Sequence, residues 1–302
     1  MDQVALTLPV PDRALATDDP EAILSFAAEA ADNGGAALAT LVEIRGGAAR
    51  ALGSHVAVSS DGRYCGYVSG GCVEAAVATE ALAALAEGRD RMLTFGDGSQ
   101  FFDIVLPCGG GITVAIHVLA DGQAIGSTVE RLRRRRVASL RYSPELQRLV
   151  SGSAVDRSAW HDGEFVTVYR PRTRLVISGR SLEAQAVATI ARASGYDVVL
   201  EAQSVGGAID ELTAVVILHH DLDAEEEVLE RALMSPAFYV GALGSTRTHR
   251  RREERLRTLG WATSDIDRIK APIGFFGPTR DASSLALSVL ADVAAARLAV
   301  QP

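Results

Sequence analysis

The spacing of apolar residues divides the chain into segments of two periods. Residues 21–33 (EAILSFAAEAADN) repeat apolar positions every three or four residues, which predicts an amphipathic helix. Asp18 and Asp19 stand before Pro20 as candidate caps, and Gly34-Gly35 ends the pattern. Residues 36–44 (AALATLVEI) form a nearly unbroken apolar run of strand length, so a buried strand is predicted there. Residues 55–59 and 63–68 flank Asp61-Gly62, a strong hairpin signal. Alanine-rich residues 72–87 predict a helix, 91–95 and 111–118 strands, and 125–136 a further helix.

From Arg170-Pro171-Arg172 onward the two periods alternate. Strands are predicted at 175–178, 197–201, 215–219 and 238–241, and helices at 182–194, 224–234, 246–259 and 283–298. Strand and helix in alternation imply right-handed crossovers and a parallel sheet. The expected class is α/β, in two parts. Residues 1–170 form a mixed α/β N-terminal domain, and 171–302 a Rossmann-like, doubly wound parallel-sheet domain.

Composition adds limits to this picture. Hydrophobic residues are 48% and charged residues 23%, as in a soluble globular chain. No apolar run reaches membrane-spanning length by eye, and the first residues lack the basic-then-apolar order of a secretory signal. Three cysteines, few and odd in number, argue against a disulfide framework. A cytoplasmic protein with free thiols and no membrane partner is expected. The net charge of −8 disfavours polyanionic partners. The basic runs at 131–136 and 249–252 sit beside Glu130, Glu253 and Glu254, which reads as solvated helix faces, and no nucleic-acid partner is expected. A homodimer is the default expectation for a soluble chain.

Two of the three cysteines stand against glycine runs: Ser69-Gly70-Gly71-Cys72-Val73-Glu74 and Cys108-Gly109-Gly110-Gly111. Glycine is needed where the backbone takes unusual dihedrals or where another group approaches closely. Cys72 falls at the first turn of the helix predicted for 72–87, a setting that favours a nucleophilic or metal-binding sulfur. The free N–H groups of the same turn are expected to bind an oxyanion beside that sulfur. A small buried hydrophobe is the plain alternative for each cysteine. Together the two turns point to soft-metal binding, persulfide transfer or redox switching by Cys72 and Cys108. Cys65 lies mid-strand, where packing is the default role. No base suited to a Cys-His hydrolase stands near either motif; His117 is one candidate, and its strand position favours a core or surface role.

In the second half the first strand-to-helix turn keeps one glycine of the dinucleotide fingerprint, Gly179, and has Ser181 at the second position. Glu201 ends the second strand, where an acid would meet a ribose. An altered nucleotide site, NAD(P) included, and a scaffold that has lost its site both remain open. The turn Gly241-Ala242-Leu243-Gly244-Ser245-Thr246-Arg247 is better suited to an anion. Its plain reading is a glycine turn with a serine cap. His219-His220-Asp221-Leu222-Asp223 reads as a strand-end polar cluster facing the crevice of the sheet, with a metal site as the alternative.

These motifs taken together resemble the XdhC/CoxI family of accessory factors for xanthine dehydrogenase and related molybdenum hydroxylases. The resemblance spans most of the chain and rests on residues 37–53, on Ser69, Gly70, Gly71, Cys72 and Glu74, and on Cys108, Gly109 and Gly110. It continues through the turn Gly241 to Arg247, Pro272-Ile273-Gly274 and the closing segment 286–297. Where the family pattern has Gly-x-Gly-His, this chain has Ser181 and Leu182, and it has Gln203 near the family's arginine, so it looks like a divergent member. The resemblance implies a chaperone that binds the molybdenum cofactor in its mononucleotide or dinucleotide form. It would protect the cofactor while a cysteine desulfurase supplies sulfur, then deliver it to an apo molybdenum hydroxylase. Cys72 and Cys108 would then meet the metal or carry sulfur. Ser69, Gly70, Gly71, Glu74, Gly109, Gly110, Gly179, Gly241, Gly244, Ser245 and Arg247 would line the cofactor. The alternatives are an NAD(P)-dependent oxidoreductase using the Rossmann-like domain, and a thiol or persulfide relay enzyme.

Overall fold

In the first unit, the alternation of side chains along the central strand decides which helix covers which face. The computed structural model describes residues 8–97, 99, 109–153, 155–200 and 209–300. It divides into two compact units, Met1–Pro171 and Arg172–Pro302. Strand β2 (Ala36–Arg45) is buried over its first seven residues. Ala37, Ala39 and Leu41 pack on one face with Val77, Ala81 and Leu82 of helix α2 (Glu74–Glu87). Ala36 and Leu38 pack on the other with Ile23, Leu24 and Ala27 of helix α1 (Pro20–Asn33) and with Ile125 and Val129 of α3 (Gln123–Arg133). A run apolar at successive positions is thus covered on both sides. Asp19 caps α1 by accepting from the Ala22 N–H, with Pro20 at the first helical position.

The strands of this sheet are β1 (Asp12–Leu15), β3 (His55–Ser59), β4 (Arg63–Gly66), β5 (Arg91–Gly96) and β6 (Gly111–Val118), with β2. Their order is β1-β4-β3-β2-β6-β5, antiparallel except for the β1–β4 pair. The Asp61-Gly62 hairpin forms where expected, with Gly62 at φ +94°. A second, antiparallel sheet of β7 (Ala138–Ser143), β8 (Arg148–Gly152), β9 (Ala159–His161) and β10 (Glu164–Tyr169) has the order β8-β7-β10-β9. The hydrophobic pattern assigned nothing here. Its strands are short; β7 and β10 bury a few apolar side chains each, and β8 and β9 fully bury none. His55 joins the two sheets, with Nδ1 3.0 Å from Thr40 Oγ1 and Nε2 2.6 Å from the Tyr169 hydroxyl.

The second unit is a single parallel sheet. β11 (Arg174–Ser178), β12 (Asp197–Leu200), β13 (Thr213–Ile217), β14 (Tyr239–Ala242) and β15 (Ile269–Lys270) lie in the order β12-β11-β13-β14-β15. Leu175 and Ile177 face α4 (Leu182–Ala193) and α8 (Ala282–Val300), while Val176, Val215 and Ile217 face α5 (Leu222–Leu233), α6 (Thr246–Thr258) and the short α7 (Thr263–Ile266). This is the doubly wound arrangement that the alternating pattern predicts. Between α5 and α6, Arg252 is buried against Glu225, with one N–O distance of 2.9 Å, and also donates to the Leu243 carbonyl at 2.8 Å.

Three sequence expectations need correction. Helix α2 begins at Glu74, so Cys72 lies in the loop before it and not in its first turn; Val73 is the cap position. Strand β13 ends at Ile217, which leaves His219 beyond it. Helix α8 is long and apolar enough to cross a membrane by length and composition, with a mean hydropathy of 1.6. One face of it serves the core, where Ala286, Val289 and Val293 pack against β11 and α4, while Leu287, Leu298 and Val300 are exposed. Asp292 accepts from the Tyr239 hydroxyl and the Gly274 N–H.

His55 yields a pH dependence. Complete burial pushes its pKa down to about 4 from an ordinary 6.5, so the unfolded chain binds the proton more readily. Stability is therefore full above about pH 6.5, falls as pH drops through 6.5 towards 4, and levels off below. We expect roughly 3 kcal/mol of loss across that window. Urea unfolding at several pH values should show this slope, and His55→Gln should flatten it. An equal slope in the variant would contradict the assignment.

Candidate functional site

The loop between β4 and α2 is built around a carboxylate that does not reach solvent. Glu74 has 0% exposure. Its Oε1 accepts from the N–H groups of Val68 (3.1 Å) and Ser69 (2.8 Å), and its Oε2 from Val73 N–H (3.2 Å). The Ser69 hydroxyl lies 2.9 Å from each carboxylate oxygen. The same hydroxyl oxygen accepts from Cys72 N–H at 3.1 Å and Gly71 N–H at 3.3 Å. Ser69 and Glu74 therefore satisfy the turn from within. The expected oxyanion cradle beside the sulfur is corrected here: the amides assigned to a ligand are already bonded. Glu74 cannot touch a ligand either; it positions the turn.

That bracing leaves Cys72 exposed at the surface of the loop. Gly71 is exposed at φ +109°, in the left-handed region that favours glycine, with nothing within 4 Å of where a Cβ would stand. The approach to Cys72 past Gly71 is open. Cys65 is the contrast: it is fully buried with Ala57 and Leu38, and burial pushes its thiol up to about 12. Cys108 lies outside the described residues.

The segment Gly46 to Arg50 links the two glycine turns. A Cβ at Gly110 would come within 2.5 Å of the Arg45 and Gly47 carbonyl oxygens, so the Gly110 backbone packs directly on one side of this segment, while Gly109 is open. On the other side Arg50 Nε donates to the Ser69 carbonyl at 3.3 Å, and Ala49 faces Gly70. Arg13 and Arg50 both lie over the Tyr67 ring, at 4.4 and 5.3 Å from its centroid. The sequence reading did not single out Arg13, Arg50 or Tyr67. Arg50 adjoins a glycine-alanine run whose other residues carry no side chain able to bond, and that isolation was the available signal.

In the second unit, Gly179 sits at φ +137° and a Cβ there would lie 2.8 Å from the Leu218 carbonyl oxygen, so both the dihedral and the close packing call for glycine. Ser181 caps α4 by accepting from the Ala184 N–H, so its hydroxyl serves the helix at the position where a fingerprint glycine would admit pyrophosphate. Ser245 likewise caps α6. Gly241 is inside β14, packed against Ile273 and Tyr239, which is a reason for glycine unconnected with a ligand. Gly244, Ser245 and His220 line a cleft of about 640 Å³ with residues 272–279, and Phe275 and Phe276 are exposed at 67% and 52%. Arg247 is exposed at the start of α6. His219 Nε2 is 2.7 Å from Ser178 Oγ, whereas Asp221 caps α5 and Asp223 pairs with Arg255, so these residues do not converge on an ion. Glu201 and Gln203 lie outside the described residues. Among the described residues no cluster of three His, Cys, Asp or Glu side chains could hold a metal.

A braced glycine turn presenting one cysteine, followed in the chain by a doubly wound parallel-sheet unit, defines the class of this protein. The XdhC and CoxI family matches residues 30–96, and the XdhC Rossmann domain matches residues 175–293. The molybdenum cofactor insertion chaperone PaoD of Escherichia coli (strain K12) is 52% identical over 292 residues, covering 95% of this chain and 92% of that protein. The uncharacterized protein YqeB of the same strain is 24% identical over 85% of this chain and 42% of its own length. A crystal structure of a Bacillus halodurans protein described as a xanthine dehydrogenase shares the fold with a TM-score of 0.74 and 19% identity, over 93% of this chain and 96% of that one. The chain belongs to the XdhC and CoxI family.

The bracing by Glu74 can be measured through the thiol it displays. In a Cys108→Ser background, Cys72 should react readily with a disulfide reagent while Cys65 stays protected until unfolding. Glu74→Ala leaves the N–H groups of Val68 and Ser69 without partners and should cost about 3 kcal/mol of stability. It should also change the Cys72 labelling rate severalfold. An unaltered rate and unfolding midpoint would show that Glu74 does not organise the turn.

Proposed function

We propose that this chain is a molybdenum cofactor insertion chaperone, holding the cofactor and delivering it to an apo molybdenum hydroxylase of the xanthine dehydrogenase type. The observation that carries this reading is the exposed Cys72 on an internally satisfied turn, in a chain 52% identical to a protein named for that role. Cysteine sulfur is a soft ligand matched to molybdenum or to a sulfur being transferred. Gly71 leaves its approach open, and Arg13, over the Tyr67 ring, places positive charge beside the same turn for the anionic group of the cargo, while Arg50, paired with Asp18, holds the Ser69 carbonyl.

Within this reading the cofactor is sheltered while a cysteine desulfurase provides its terminal sulfur, and the chain acts as a homodimer in the cytoplasm. Gly109 and Gly110 border the site from the far side of the 46–50 segment, with Cys108 preceding them in sequence. In the second unit, taken by itself, the 640 Å³ cleft with Gly244 and Ser245 has room for a nucleotide. The cap made by Ser181 weighs against the NAD(P) oxidoreductase alternative, because its side chain fills the space a pyrophosphate needs.

The test is anaerobic. Purified chain is loaded with released molybdenum cofactor, freed of excess by gel filtration, and mixed with apo-hydroxylase. Wild type should retain about one cofactor per chain and activate the hydroxylase. Cys72→Ala should retain at least tenfold less, while Cys65→Ala should differ only through packing. Equal retention and transfer by Cys72→Ala would remove Cys72 from the mechanism.

A further inference from the structure

Two phenyl rings of the second unit stand in solvent on a main chain that is fixed. Ile273 is buried, and its N–H donates to the Ala242 carbonyl of β14 at 3.1 Å. The next three N–H groups are taken by α8. Gly274 donates to Asp292 Oδ2 at 3.2 Å, Phe275 to the Ser288 carbonyl at 3.0 Å, and Phe276 to Ser288 Oγ at 2.9 Å. The Ser288 hydroxyl donates in turn to the Phe276 carbonyl, and Ser288 is itself fully buried. Four successive N–H groups are thus anchored, yet the side chains of Phe275 and Phe276 are left exposed. A segment folded only to hide apolar surface would turn these rings inward. Adjacent exposed aromatics on a fixed backbone mark a place where something else packs.

Both rings line the 640 Å³ cleft that also holds Gly244, Ser245 and His220, and no Asp or Glu lines it. Its polar side is the start of α6. Ser245 caps the Thr248 N–H there, while the N–H groups of Thr246 and Arg247 have no partner among the described residues. Arg247, and Arg280 next to the lining residue Thr279, are exposed and form no ion pair among the described residues. The acids that adjoin the cleft in sequence are engaged at other helices. Asp221 caps α5, and Asp281 accepts from the Ser284 N–H at the start of α8. In a chain of net charge −8, this cleft combines an apolar aromatic wall with a positive rim.

We propose, resting on the reading of this cleft as nucleotide-sized and on nothing at Cys72, that Phe275 and Phe276 are a stacking platform for a planar heteroaromatic ring that carries an anionic group, a nucleobase or a pterin. A phenyl face offers such a ring apolar contact over its whole π-surface, without reading its edges. Phenylalanine has only two side-chain torsions, so little freedom is lost when the ring is covered. The lack of a lining carboxylate and the positive rim admit the negative charge that the ring carries. The first strand-to-helix turn, closed by the Ser181 cap, takes no part.

The experiment titrates the full chain by calorimetry with adenosine monophosphate, with carboxypterin and, as a control lacking the flat ring, with ribose phosphate, at constant ionic strength. At least one ring probe should saturate, with ribose phosphate at least tenfold weaker. The double variant Phe275→Ala, Phe276→Ala should bind that ring probe at least fivefold more weakly and ribose phosphate unchanged. Phe275→Tyr with Phe276→Tyr should stay within twofold of wild type. Both side chains are exposed, so the variants keep the fold. Saturation by the nucleotide alone assigns a nucleobase, and by the pterin alone a pterin. Ring binding unchanged in the alanine variant overturns the platform and leaves the cleft's size reading in place; no saturation by either ring probe overturns both. An alanine variant that binds the probes like wild type but no longer activates the apo-hydroxylase would make the rings a protein contact, which also overturns the platform.

Discussion

The arrangement of the loop that presents Cys72 depends on one interaction: the buried Glu74 carboxylate accepting the N–H groups of the turn that precedes it. A buried carboxylate without partners would be strongly unfavourable. Here four donors come from Val68, Ser69 and Val73, all within six residues of Glu74. The turn is held closed by its own helix. What remains outside is the part with nothing left to satisfy it: the Cys72 side chain and the bare face of Gly71. Rigidity on the inside and availability on the outside have the same cause.

Much of the fold was legible because burial writes a period into the sequence. β2, its flanking helices and the parallel-sheet unit all appeared as runs of period two or 3.6, and the structure placed them within a few residues. The sheet β7–β10 did not appear, because strands of three to six residues with few buried apolar positions give too short a signal. At the candidate site, the sequence motif contains Glu74 but does not say which way its carboxylate faces. Glu74 in a glycine-rich motif looks the same whether its carboxylate faces a ligand or its own loop, and only the hydrogen bonds decide. Gly241 has a similar history, since a glycine required by the Tyr239 and Ile273 side chains cannot be told from one required by a phosphate.

The two units express different uses of the same elements. In the second, serines at helix starts do capping work, and polar side chains at the strand ends pair among themselves, as Ser178 does with His219. In the first, α2 has no side-chain cap; its first residue, Glu74, bonds backwards to the N–H groups of the loop before it, which leaves the Cys72 side chain outside. Membership of the XdhC and CoxI family accounts for the pairing of these units in one chain.

The most direct test of this account is a crystal structure of the chain loaded with molybdenum cofactor under anaerobic conditions. We expect the metal or its terminal sulfur within bonding distance of Cys72 Sγ, with the Ser69–Glu74 hydrogen bonds unchanged. Cofactor bound elsewhere, with Cys72 facing empty solvent, would contradict the account.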